Sequence, residues 1–138
     1  MLKNVYLCDD DPDDRELFQN ALQQISPDLL LTASGDGEEL LLQLYDSFSS
    51  LPDIIFLDIN MPGKDGLETL REIKSHLHLY NIPVVIYSTS SQSDTVHATY
   101  SLGAKSYLVK PDSFNVLKKA LTMLIDNQST STPKFLIT

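Results

Sequence analysis

Residues 5–14 read Val5-Tyr6-Leu7-Cys8-Asp9-Asp10-Asp11-Pro12-Asp13-Asp14: four apolar residues run straight into five carboxylates and one proline. An apolar run without polar alternation suits a strand buried on both faces, as parallel strands are. Asp11 followed by Pro12 is a helix-start signal, because the carboxylate can cap free amides and proline lacks only an N–H that would go unpaired anyway. Residues 12–25 then place Leu17, Phe18, Ala21, Leu22 and Ile25 on one helical face. The segment is a strand, an acidic turn and an amphipathic helix.

The same unit recurs. Apolar runs at residues 29–33, 54–57, 84–87 and 106–109 predict four more strands, also buried on both faces. Residues 37–48 carry Leu40, Leu41, Leu44 and Phe48 at helical spacing, and residues 66–77 carry Leu67, Leu70, Ile73 and Leu77. A polar helix over 93–102 has only Val96, Tyr100 and Leu102 as anchors, and 113–125 offers Val116, Leu117, Ala120, Leu121, Leu124 and Ile125. Five such units imply an α/β fold, an open five-stranded parallel sheet doubly wound with five helices. The domain is read as residues 1–127, followed by a short tail, 128–138; the polar Ser/Thr stretch 127–133 spans the boundary. Residues 134–138 could add a strand, pack on a helix or mediate a dimer, with a frayed terminus as the default expectation.

The 138 residues include 19 Asp and Glu against 10 Lys and Arg, a net charge of -9. That balance argues against nucleic-acid binding and anionic membrane surfaces, both of which need clustered cations. The single cysteine, Cys8, excludes an internal disulfide and is expected to be a small core residue. No apolar run approaches the ~20 residues that span a bilayer, and no signal-peptide pattern is present, so a cytoplasmic location is expected. His76, His78 and His97 are expected to be surface histidines.

In an open α/β sheet, ligands bind beyond the carboxyl ends of the strands. Those ends deliver Asp9 and Asp10 from the first strand, Asp58 from the third, Ser88 and Thr89 from the fourth, and Lys110 and Pro111 from the fifth. Three ionised carboxylates converge stably only around a cation, and magnesium accepts carboxylates while keeping positions for phosphate oxygens. A carboxylate nucleophile, a metal, a hydroxyl and a lysine together form a phosphoryl-acceptor site.

Four segments, VYLCDDDPDD (5–14), PDIIFLDINMPGKDGLE (52–68), IPVVIYSTSS (82–91) and GAKSYLVKP (103–111), carry a resemblance in both order and spacing. Over about residues 2–127 the chain resembles the receiver domain of two-component response regulators. The resemblance implies a flavodoxin-like sheet of order 2-1-3-4-5, with Asp58 as the phosphorylated aspartate. It implies magnesium held by Asp10 directly, by Asp9 through water, by Asp58 and by the backbone carbonyl of Asn60. Ser88 matches the switch hydroxyl, Tyr107 the aromatic that turns inward on activation, and Lys110 the phosphate-pairing lysine. Pro111 matches a proline whose preceding bond is usually cis, and Ser90 a position that tunes water access.

The implied donor is a phosphohistidine on a sensor histidine kinase or phosphotransfer protein. Output would pass to a downstream protein or along a phosphorelay, from the face of the fourth helix, fifth strand and fifth helix. From its length the chain is expected to carry no output domain, and to be a monomer or weak dimer. The alternative is a magnesium-dependent phosphatase using Asp9 as nucleophile and Asp11 as acid, opposed by Pro12-Asp13 after the Asp-x-Asp pattern. Asp11 is expected to cap a helix, and Asp13 and Asp14 to be helix-start surface charge. Asp65 is a further cap candidate, and Gly63 and Gly66 are read as residues allowing unusual backbone geometry.

Overall fold

The computed structural model describes residues 3–61, 63, 65–126 and 134–138; the polar stretch 127–133 lies outside the described residues. Strands and helices alternate as β1 (Asn4–Cys8), α1 (Pro12–Ile25), β2 (Leu30–Ser34), α2 (Gly37–Tyr45), β3 (Ile54–Leu57), α3 (Gly66–Ser75), β4 (Val84–Ser88), α4 (Ser93–Ser101), β5 (Ser106–Val109), α5 (Phe114–Asp126) and β6 (Leu136–Ile137). All pairings are parallel and the sheet order is β2-β1-β3-β4-β5-β6. The expected order 2-1-3-4-5 is therefore present, with a sixth strand added at the β5 edge.

Alternation within each central strand divides the core into two layers. Tyr6, Cys8, Ile55, Leu57, Val84 and Ile86 pack with α2 and α3 through Leu40, Leu44, Leu70 and Ile73. Val5, Leu7, Ile54, Phe56, Val85 and Tyr87 pack with α1 and α5 through Phe18, Leu22, Leu117 and Leu121. Phe18 meets Phe56 and Tyr87 edge-on, at centroid distances of 4.9 and 5.6 Å. Because both sheet faces are covered, function is left to the strand ends.

Cys8 is fully buried, its Sγ donating to Met61 Sδ at 3.5 Å, as expected of a core thiol. Burial, the largest influence, pushes its pKa up to about 12, so the nucleophilic thiolate is scarce. Native protein should resist alkylation by iodoacetamide at mildly alkaline pH while urea-unfolded protein reacts promptly. Equal rates, followed by mass spectrometry, would contradict the burial. The linkage sign is that of a raised pKa: this group's contribution is present below the unfolded thiol pKa and fades as pH climbs toward the folded value.

Several expectations need correction. β2 is an edge strand, and Leu30 is exposed rather than buried, because only β1 flanks it. α2 stops at Tyr45 instead of 48 and α3 at Ser75 instead of 77. Beyond α2 the sequence Asp46-Ser47-Phe48-Ser49-Ser50 favours turns whose amides are taken locally, with Ser50 N–H donating to Ser47 O at 2.7 Å. Leu17, Leu77, Tyr100 and Val116, read as buried anchors, are exposed. The tail adds a strand instead of fraying: Tyr107 N–H donates to Phe135 O at 2.7 Å, and Phe135 meets Tyr100 edge-on at 5.1 Å. There is no cis peptide bond among the described residues, so Lys110–Pro111 is trans, the lower-energy isomer, where the resemblance led us to expect cis.

Candidate functional site

The site is assembled where β1, β3, β4 and β5 end. Asp9 follows β1 and is fully buried; its amide donates to Ser34 O at 3.0 Å, continuing the β1–β2 ladder by one residue. Asp58 follows β3 and is likewise tied to the sheet, its amide donating to Cys8 O at 2.9 Å. These backbone bonds fix two carboxylates side by side. Together with exposed Asp10, they place three carboxylate oxygens within 4.8 Å of one another.

The two buried carboxylates have partial compensation. Asp9 Oδ1 accepts from the Asp11 amide at 3.0 Å, and Asp58 Oδ1 from the Asn60 amide at 3.1 Å. Asp9 Oδ2 lies 2.8 Å from Lys110 Nζ, but outside hydrogen-bond alignment, so it is a buried oxygen without a donor. A buried, donorless carboxylate oxygen facing two more carboxylates fits a hard divalent cation. Burial holds the Asp9 carboxyl above its usual range, against Lys110 and the Asp11 amide, with the Asp58 charge adding to the rise.

Lys110 is the counter-charge. Its Nζ lies 2.8 Å from Asp9 Oδ2, 2.8 Å from Asp14 Oδ2 and 3.4 Å from Asp58 Oδ2, and sits over the Tyr87 ring. Burial alone would lower its pKa; the hydrogen bond to Asp14, the Asp9 carboxylate and the Asp58 charge outweigh that and raise it, keeping the ammonium charged. Its amide donates to Ser88 O at 2.8 Å, which joins β5 to β4 at the site.

The hydroxyl side is preorganised too. Ser88 is fully buried, and its Oγ accepts from Asn60 Nδ2 and from the Ser90 amide, both at 3.3 Å. Tyr107 is fully buried, and its hydroxyl donates to Ser90 O at 2.6 Å. The ring is thus turned inward. Burial raises the Tyr107 pKa, so the phenol remains a proton donor.

Asp9, Asp10, Asp58, Asn60, Ser88 and Lys110 are therefore brought together as the sequence led us to expect. Asp11 is not: its carboxylate accepts from the Asp13 amide at 2.9 Å and caps α1, which disfavours the phosphatase alternative. Two features were missed. Asp14 pairs with Lys110 rather than facing solvent alone. At the far ends of α2 and α3, His76 and His78 stack with Phe48 at centroid distances of 5.5 and 5.0 Å, and His76 lies 5.4 Å from Tyr45. His78 and His97 are exposed, as expected, whereas His76 is half-buried.

Comparison with known proteins agrees with this geometry. Residues 5–122 match the family described as the response regulator receiver domain. The chain belongs to that family. A curated relative, response regulator Rcp1 of Synechocystis, is 36% identical over 121 residues, covering 85% of this chain and 82% of Rcp1. The phosphorylated cyanobacterial phytochrome response regulator RcpA superposes with a TM-score of 0.84 at 32% identity, over 97% of this chain and 100% of RcpA. The Mn(2+)-bound form of Rcp1 superposes with a TM-score of 0.80 at 33% identity, over 96% and 99% of the two chains. Other relatives are longer: the receiver matches 50% of the sensory transduction protein LytT of Oceanobacillus iheyensis, at 32% identity.

As a receiver domain, the protein is a phosphorylation-activated signalling switch, a family that takes its phosphoryl groups from histidine kinases. The acidic cluster Asp9, Asp10 and Asp58 can hold a metal ion. No helix among the described residues is long and apolar enough to cross a membrane.

Proposed function

We propose that Asp58 is the phosphoacceptor of this receiver, with magnesium as its cation. A carboxylate oxygen of Asp58 attacks phosphorus of a phosphohistidine, the P–N bond breaks, and the imidazole leaves with the bonding pair. The observation that carries this reading is the buried pair Asp9 and Asp58 facing Lys110, with a donorless Asp9 oxygen between them. Asp9, Asp10 and Asp58, with the Asn60 carbonyl, would hold magnesium, which supplies charge neutralisation for the phosphoryl oxygens. Lys110 donates to one phosphoryl oxygen. The Ser88 hydroxyl turns from its present neighbours to donate to another.

Phosphorylation would favour the inward arrangement of Tyr107, in which its hydroxyl donates to Ser90 O. The switch is then a population shift toward that arrangement. The receiver unit is residues 1–127, with 128–138 as its tail. The phosphoryl source is a sensor histidine kinase or a histidine phosphotransfer protein. Since RcpA is a phytochrome response regulator, phytochrome-type kinases are the first donors to test. Output goes to a downstream protein or onward through a phosphorelay, from a cytoplasmic monomer or weak dimer.

Incubation with acetyl phosphate and magnesium should add one phosphoryl mass to the wild-type chain. Neither Asp58→Asn nor the wild type with excess EDTA should gain it. Stable uptake by Asp58→Asn, read by intact mass spectrometry, would sink the assignment.

A further inference from the structure

Asp14 has no place in the phosphoacceptor scheme, yet it touches the site's lysine. It belongs to the first turn of α1, and its Oδ2 lies 2.8 Å from Lys110 Nζ, 96 positions away in the chain. That matches the Asp9 distance and is shorter than the 3.4 Å to Asp58. The Asp14 side chain is 29% exposed and that of Lys110 10% exposed, so the pair spans the rim of the pocket. Among the three carboxylates around the ammonium, Asp14 alone lies outside the cluster that converges on a cation position.

The asymmetry matters because Asp9 and Asp58 have other tasks. A carboxylate oxygen committed to a cation or esterified to phosphorus is a poorer acceptor for the lysine. An ammonium on a flexible four-carbon stem has three donors and no built-in direction, so it is aimed only by its partners. Asp14, outside the cation cluster and not the phosphoacceptor, is committed to neither. Its position is also fixed: Asp11 caps the same helical turn, and the next residue, Arg15, donates through Nη1 to Asp9 O at 2.6 Å. The Tyr87 ring, 5.2 Å from Nζ, closes another side.

We propose that Asp14 is a positioning residue for phosphoryl transfer: its carboxylate holds the Lys110 ammonium at the pocket rim, aimed at the incoming phosphoryl oxygens, when Asp9 and Asp58 are otherwise engaged. The proposal rests on the phosphoacceptor reading of Asp58. Asp14 touches no reacting atom and acts through Lys110.

The test is a double-mutant cycle on the initial rate of phosphorylation by acetyl phosphate in magnesium. It uses wild type, Asp14→Asn, Lys110→Gln and the double variant, with Asp58→Asn as the blank. Gln at 110 removes the ammonium while leaving buried Asp9 an amide donor, which favours retention of the fold. Asp14→Asn is expected to slow the reaction about tenfold, the scale of one lost charge-assisted hydrogen bond to a group acting in the transition state. In the Lys110→Gln background the same substitution should change the rate less than about twofold. Asp14→Ser, which keeps a residue suited to a helix start, should reproduce the tenfold loss.

A role limited to helix stability would instead slow both backgrounds alike, which overturns the proposal. So does a wild-type or faster rate in Asp14→Asn, the result expected if Asp14 merely repels the anionic donor. If the wild type takes up no phosphoryl group, the phosphoacceptor reading fails first. Uptake by wild type with no effect at Asp14 fails this inference alone.

Discussion

Replacing Gly66 with alanine is expected to lower folding stability by about 3 kcal/mol or more, and the melting midpoint by roughly 10 °C. A Cβ at Gly66 would stand 2.3 Å from Ile59 Cα and 2.5 Å from Asp58 O. Both are backbone atoms, so no rotamer change relieves the overlap. Either α3 moves off the sheet or the β3 end moves away from α3. The first loses packing of Leu70 and Ile73, which are fully buried. The second displaces Asp58, so the phosphorylation rate should fall together with stability. Gly63→Ala provides the contrast. Gly63 has φ +75° with open space around its Cβ position, so alanine there bears only the left-handed backbone cost of about 1 kcal/mol. Urea denaturation of both variants checks the ranking. A Gly66→Ala variant milder than Gly63→Ala would show that α3 does not rest on the Asp58 backbone as described.

Gly66 also marks how far the sequence can be read. Its importance is visible in the Asp65-Gly66 pair, but conformational freedom is the wrong reason; a neighbour's backbone occupies the space, and that neighbour is unknown before the chain is folded. Asp9, Asp58, Ser88 and Lys110 are legible because a parallel strand announces itself as a short apolar run, and the residue after it necessarily emerges at the ligand-binding edge. Asp14 is not legible by that rule. It lies on a helix, and whether a first-turn carboxylate faces water or a lysine from β5 depends on how α1 seats against the sheet. β6 escaped for a simpler reason: Leu136 and Ile137 are too few to show a period. The stack of Phe48, His76 and His78 depends on where α2 and α3 stop. Apolar spacing would have carried both helices onward; α2 instead gives way to local turns in which Ser47 N–H donates to Leu44 O and Ser50 N–H to Ser47 O.

Lys110→Met should uncover the electrostatic cost that the lysine now offsets. Removing one member of a buried ion pair typically destabilises by about 3–5 kcal/mol, because the other charge is left without compensation. Here the stranded group is Asp9, fully buried and already held above its usual pKa by burial, with Lys110 pulling it down. Loss of that pull raises the Asp9 pKa further. A carboxyl whose folded pKa exceeds its unfolded value favours the fold below the unfolded value, and loses that contribution as pH rises through the folded one. The deficit of Lys110→Met relative to wild type should therefore be small in mild acid, where Asp9 is protonated, and grow to its full size at neutral pH. Millimolar magnesium should shrink it at neutral pH, since a cation among Asp9, Asp10 and Asp58 replaces the missing charge. Stability must be measured by urea melts at both pH values, with and without magnesium. A deficit independent of pH and metal would mean that Lys110 stabilises the fold through its packing over Tyr87 rather than through its charge. Phosphoryl transfer, in contrast, should stay slow even with saturating magnesium, because the cation restores the charge balance of the resting site but cannot supply the donor that Lys110 presents to the phosphoryl oxygen.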